Sequence, residues 1–145
     1  YKRQEIYISL IKKYLKHSNQ ILLLVPEIAL TTQLVTRLSK FFSKYLIVYH
    51  SGLNINQRAE LWNDLISTNK TKIIIGARSS IFLPFTNLKL IIVDEEHEVS
   101  YKQFDPSPRY NARDASIILS NIHGANILFG TCFRDKKRKM AQKLK

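Results

Sequence analysis

A chain of 145 residues, 45% of them hydrophobic and with only four Gly and four Pro, has the composition of one ordinary globular domain. Its single cysteine, Cys132, excludes an internal disulfide, its four histidines lack metal-ligand spacing, and no apolar run approaches the ~20 residues of a membrane span. With no signal peptide at its start, the sequence predicts a soluble, cytoplasmic protein without structural zinc or a membrane partner. The net charge of +12 points to a polyanionic partner, most simply nucleic acid. Half of that excess sits between Arg134 and Lys145, where seven Lys or Arg face one Asp. Residues 134–145 are therefore expected to be a disordered basic tail, and 1–133 the folded unit.

In chain order, Ile6, Leu10, Ile11, Tyr14 and Leu15 recur at helical spacing over residues 5–17, opposite Lys12, Lys13 and Lys16. Gln20 to Val25 reads as a buried strand ended by Pro26, and a second helix is expected from about Ala29 to Phe42 on Leu30, Leu34, Leu38 and Phe41 or Phe42. Leu46 to Tyr49 makes a short strand leading into His50-Ser51-Gly52. Asn54 with Gln57 three residues on forms a capping-box pattern, and Leu61, Trp62, Leu65 and Ile66 stripe the helix behind it. Lys72 to Ile75 is a strand closed by Gly76, and residues 77–82 a loop or short helix. The strand Leu88 to Val93 stops at Asp94-Glu95-Glu96-His97, and a polar, aromatic loop covers 98–110. A helix from about Asn111 to Ile122 should end at Gly124 in a left-handed cap, before a last strand at 125–129. Strands alternating with helices predict right-handed βαβ units and a three-layer, mostly parallel α/β sheet.

In such a sheet, chemistry gathers beyond the carboxyl ends of the strands. Leu90-Ile91-Ile92-Val93 is a greasy strand that delivers Asp94 and Glu95 to that rim. A carboxylate there can hold Mg²⁺, and its neighbour can orient or deprotonate a water, as nucleoside-triphosphate hydrolysis requires. A lone Asp-Glu pair is more often a solvated acidic turn. The other strand-following loops are equally polar: Pro26-Glu27-Ile28-Ala29-Leu30-Thr31, His50-Ser51-Gly52 and Gly76-Ala77-Arg78-Ser79-Ser80.

Four such loops in this order resemble the first, RecA-like motor domain of superfamily 2 helicases. The strings LLLVPEIALTTQLV, VYHSGLN, IIIGARSSIFLPFTNLKLIIVDEEHEVSYKQ and PRYNARDASIILS are similar to the replication-restart primosomal helicases, over residues 5–130. That resemblance implies an ATP-dependent DNA helicase that unwinds 3′ to 5′ at stalled forks and works with primosome proteins on single-stranded and forked DNA. It implies that Asp94 organises Mg²⁺, that Glu95 activates water, and that Glu96 and His97 link the γ-phosphate to the DNA-binding parts. Pro26, Glu27, Ala29 and Thr31 match one motif that faces the DNA backbone, and Arg78 and Ser79 match another. Tyr101, Lys102, Gln103, Arg109 and Tyr110 match an aromatic-rich loop that couples single-stranded DNA to hydrolysis. Aromatic rings among Lys and Arg also suit base stacking beside phosphates on their own account.

Blander roles stay open for each. Thr31 and Glu27 suit a helix N-terminus, Arg78 and His97 suit solvated surface positions, His50 suits a turn, and Tyr101 and Tyr110 suit packing beneath the loop. The sequence also departs from the family. Lys2-Arg3-Gln4 precede Glu5-Ile6-Tyr7 where the family carries GxxxxGKT, so the reading is a helicase domain lacking its first strand and P-loop. Gly130-Thr131 begins like a family motif that Cys132-Phe133-Arg134-Asp135 does not continue. The family's zinc-binding cysteines would lie outside this segment. Two expectations therefore stand: a fragment of an ATP-dependent helicase, inactive as a 145-residue polypeptide, or a non-catalytic basic α/β module that binds DNA.

Overall fold

The computed structural model describes residues 2–16, 18–27, 33–67, 70–105 and 107–130. Ala29, Thr31 and the tail 134–145 lie outside the described residues. Helix α1 (Lys2–Tyr14) precedes strand β1 (Gln20–Leu24), then α2 (Gln33–Phe42), β2 (Leu46–Tyr49), α3 (Ile55–Ile66), β3 (Lys72–Gly76), β4 (Leu88–Val93), α4 (Ala112–His123) and β5 (Asn126–Phe129). Short 3-10 turns span Arg78–Phe82 and Val99–Tyr101. All pairings within the five-stranded sheet are parallel, in the order β2-β3-β1-β4-β5.

Side chains alternate across a strand, so β1 feeds two cores. Ile21, Leu23 and Val25 pack with Tyr7, Ile8 and Ile11 of α1 and Leu34, Leu38 and Phe42 of α2. Leu22 and Leu24 pack on the other face with Leu61 and Leu65 of α3, Ala112 of α4, and Tyr101. The result is the three-layer α/β sandwich that the periodicities predict. Each fully buried Leu or Ile contributes roughly 1.5–3 kcal/mol, which makes the apolar run of β1 the anchor of both layers. Gln20 opens that strand without solvent, yet its amide is satisfied: Nε2 donates to the Leu65 carbonyl at 2.8 Å, and Oε1 accepts from the backbone N–H groups of Thr86 and Asn87.

Local sequence signals hold where they concern caps. Asn54 and Gln57 make both bonds of the capping box, and Gly124 closes α4 with φ of 62°. The helix faces shift, however. Tyr7 and Ile8 turn inward on α1 while Ile6 stays 45% exposed, and on α3 Trp62 and Ile66 remain outside. On α2, Phe42 is the buried member of the Phe41–Phe42 pair.

Register decides where the loops emerge. Tyr49 pairs with Gly76, Gly76 with Leu24, Leu24 with Val93, and Val93 with Phe129. All five strands finish level, and the residues that follow them leave from one straight edge.

Candidate functional site

The backbone ladder runs one step past the strand ends. Val25 N–H donates to the Gly76 carbonyl at 2.9 Å, Asp94 N–H to Leu24 at 2.8 Å, and Gly130 N–H to Val93 at 2.8 Å. Asp94 is thereby held in the middle of the edge, and it is buried. The Tyr7 hydroxyl donates to Asp94 Oδ1 at 2.6 Å, and Arg3 Nε stands 3.3 Å from the same oxygen. Arg3 Nη2 also reaches Glu95 Oε1 at 3.4 Å, so one guanidinium bridges both carboxylates. Burial works against charge on Arg3, but Asp94, Tyr7 and Glu95 more than offset it and raise its pKa. Burial first, then the Asp94 carboxylate, push the Tyr7 phenol far above its ordinary range.

Glu95 adopts a left-handed backbone with φ of 47°, a conformation that costs a non-glycine residue of order 1 kcal/mol. The turn 94–97 then buries Glu96, whose N–H donates to the Gly130 carbonyl at 3.0 Å, and leaves His97 exposed. Gly130 matters sterically: a Cβ there would fall 1.9 Å from the Tyr7 hydroxyl oxygen. Glycine at this place is the space that the Tyr7–Asp94 bond occupies.

Tyr101 is 1% exposed, and its hydroxyl is shared between the carbonyls of Leu24, at 3.0 Å, and Asp94. Burial raises its pKa, with the negative charges of Asp94, Glu95 and Glu98 adding to the effect. The expected role of Tyr101 as a stacking platform does not fit this geometry, because no ring face reaches solvent. It instead pins the aromatic loop to the ends of β1 and β4.

Beyond that pin the loop closes on itself. Lys102 Nζ donates to the Arg109 carbonyl at 2.7 Å, Gln103 N–H to Tyr110 and Gln103 Nε2 to Pro108, both at 2.8 Å, while the Arg109 side chain points outward. Tyr110 is half-buried, with its ring edge-on to Phe82 at 4.8 Å. The loop's exposed ring is Phe104, at 63%, which the sequence motifs did not single out.

Arg78 Nη1 donates to the Lys102 carbonyl at 3.0 Å, tying the turn after β3 to the aromatic loop. Gly76 lets that turn sit close, since a Cβ would lie 2.3 Å from Ser80 Cβ. Arg78 and Ser79 line a cleft of about 220 Å³ with Glu27, His50, Ser51 and Ser100. His50 Nδ1 accepts from the Gly52 N–H at 3.0 Å, so its turn is ordered rather than merely solvated. Pro26, at the end of β1, is buried, and Glu27 is exposed at the cleft. Of the expected site residues, the edge thus gathers Glu27, Arg78, Ser79, Asp94, Glu95 and the 101–110 loop.

A family model described as DEAD/DEAH box helicase matches residues 5–140. The chain belongs to the DEAD/DEAH box helicase family. This helicase domain is 40% identical over 129 residues to the Replication restart protein PriA of Bacillus subtilis, covering 89% of this chain and 16% of that protein. It is 44% identical over 129 residues to the proteins of the same name from Helicobacter pylori strain J99 and Haemophilus influenzae, covering 89% of this chain and 20% and 17% of theirs. The chain thus spans a fifth or less of the length of these curated relatives. The helicase family implies use of ATP and Mg²⁺. The residues here do not fit a metal as they stand: the acidic pair is engaged by Arg3 and Tyr7, and among the described residues no three His, Cys, Asp or Glu side chains converge. No helix among the described residues is long and apolar enough to cross a membrane.

Proposed function

We propose that this helicase domain is the single-stranded-DNA-gripping part of the first motor domain of an ATP-dependent, 3′-to-5′ DNA helicase that restarts replication at stalled forks together with primosome proteins. The observation that carries the reading is the level row of strand ends, which sets the acidic Asp94–Glu95 turn, the Arg78–Ser79 turn and the 101–110 loop side by side. Arg78, Ser79 and Arg109 are the groups for the sugar-phosphate backbone, and Phe104 offers the ring face for a base. Through Tyr101 and the Arg78–Lys102 bond, a strand seated on these loops pulls directly on the backbone of Asp94. Glu96 and His97 extend that link from the acidic turn.

Arg3 favours a second reading, in which the 145-residue polypeptide is a basic module that holds DNA and hydrolyses nothing. Its guanidinium occupies the acidic pair. Both readings share the DNA face. Photocrosslinking to an oligonucleotide carrying 5-iododeoxyuridine, followed by peptide mapping, should place adducts at residues 78–79 and 102–110. Adducts confined to 134–145 would discard the loop assignment and leave only an electrostatic tail.

A further inference from the structure

The family's need for a divalent cation and the arrangement at Asp94 disagree, and the disagreement has a physical form. Arg3 contacts both carboxylates, with Nε 3.3 Å from Asp94 Oδ1 and Nη2 3.4 Å from Glu95 Oε1, so its positive charge stands where a shared cation would be attracted. Its side chain is 28% exposed, and that of Asp94 only 8%, so water screens this pairing less than it would a surface pair. Tyr7 takes a further lone pair of the same Asp94 oxygen, which reduces the donor capacity left for a metal.

We propose that Arg3 is a built-in counter-ion that closes the Asp94–Glu95 pair to divalent cations, and that removing it uncovers a cation site. A fixed positive charge beside the carboxylates repels a second cation, the more so where water screens it poorly. A divalent ion feels that repulsion twice over, so loss of Arg3 raises its affinity by at least about tenfold. Arg3 also ties the Glu95 carboxylate down across a turn in which Glu95 has a left-handed backbone.

The test uses Mn²⁺ as a paramagnetic probe of the full 145-residue chain, with the free-ion electron paramagnetic resonance signal as readout. Wild type should leave that signal unchanged below the concentrations at which the Asp94→Asn control also binds. Arg3→Ala should capture Mn²⁺ at least about tenfold more tightly, and Arg3→Ala with Asp94→Asn should lose it again. Arg3→Gln, which keeps the aliphatic stem, is read the same way should the alanine variant fail to fold. Binding by wild type that Asp94→Asn abolishes would overturn the proposal, as would folded Arg3 variants that gain nothing. Neither result touches the DNA reading, which depends on other loops.

Discussion

Gly130→Ala tests the packing around Asp94 most sharply, because it adds one methyl and nothing else. Gly130 needs no left-handed backbone, so alanine brings no conformational penalty of its own. The new Cβ would lie 1.9 Å from the Tyr7 hydroxyl oxygen and 3.2 Å from Asp94 Oδ1. Tyr7 is almost fully buried and has no room to retreat. The hydroxyl must leave Asp94, adding the loss of a buried bond to a charged acceptor, about 1.5–3 kcal/mol, to an overpacking cost of about 1–3 kcal/mol. The sum is about 2.5–6 kcal/mol. Tyr7→Phe alone should cost about 1.5–3 kcal/mol, since it removes the same bond without the clash. In the Tyr7→Phe background the added methyl meets the ring carbon and Asp94 Oδ1, each at 3.2 Å in the present geometry, and should cost less than about 1 kcal/mol. Urea denaturation of the four proteins in a double-mutant cycle should therefore give a coupling of about 1.5 kcal/mol or more. Equal costs of Gly130→Ala in both backgrounds would refute the contact.

Further expectations follow from the same geometry. The purified 145-residue chain should show no ATP hydrolysis with or without single-stranded DNA, and turnover abolished by Glu95→Gln would overturn this. Tyr7 and Tyr101 have raised folded pKa values, so their contribution to stability is present below the ordinary tyrosine range near pH ~10 and fades above it. A spectrophotometric titration should show both phenols ionising only as the protein unfolds in base. Asp64 has a lowered folded pKa, caused chiefly by its bond from Lys70, so its contribution is present above the ordinary aspartate range near pH ~4 and is lost as pH falls through it. Asp64→Asn should flatten the acid limb of the stability curve. Phe104→Ala should weaken single-strand binding by roughly 1–3 kcal/mol without changing stability, whereas Tyr101→Ala should unfold the loop's attachment and lower the melting temperature.

Much of this architecture is legible in short stretches. Four apolar residues ending at Asp94 read as a buried parallel strand, and Asn54, Gln57 and Gly124 announce helix ends by local chemistry alone. The helix faces are less legible, because the stripe on α1 fits Ile6 and Leu10 as well as Tyr7 and Ile11 until β4 is placed beneath it. A tyrosine on a buried face does require a partner, and that requirement was the available signal for the Tyr7–Asp94 bond. Tyr101 shows the limit. Whether its ring stacks on a base or lies beneath the loop turns on acceptors at Leu24 and Asp94, one of them 77 residues away. Phe104 escaped notice for the converse reason: only the buried neighbours reveal which ring of the loop is left outside.

The claim that the level row of loops grips single-stranded DNA is tested most directly by fluorescence anisotropy with oligo(dT) across a salt series. Wild type, Arg78→Ala, Arg109→Ala and a chain ending at residue 133 would be compared. Each arginine change should weaken binding and reduce the salt slope by about 0.7, the value for one phosphate contact on a single strand. The shortened chain should bind with a flatter slope but still prefer single strands to duplex. Loss of all binding on shortening, with neither arginine change having any effect, would contradict the claim.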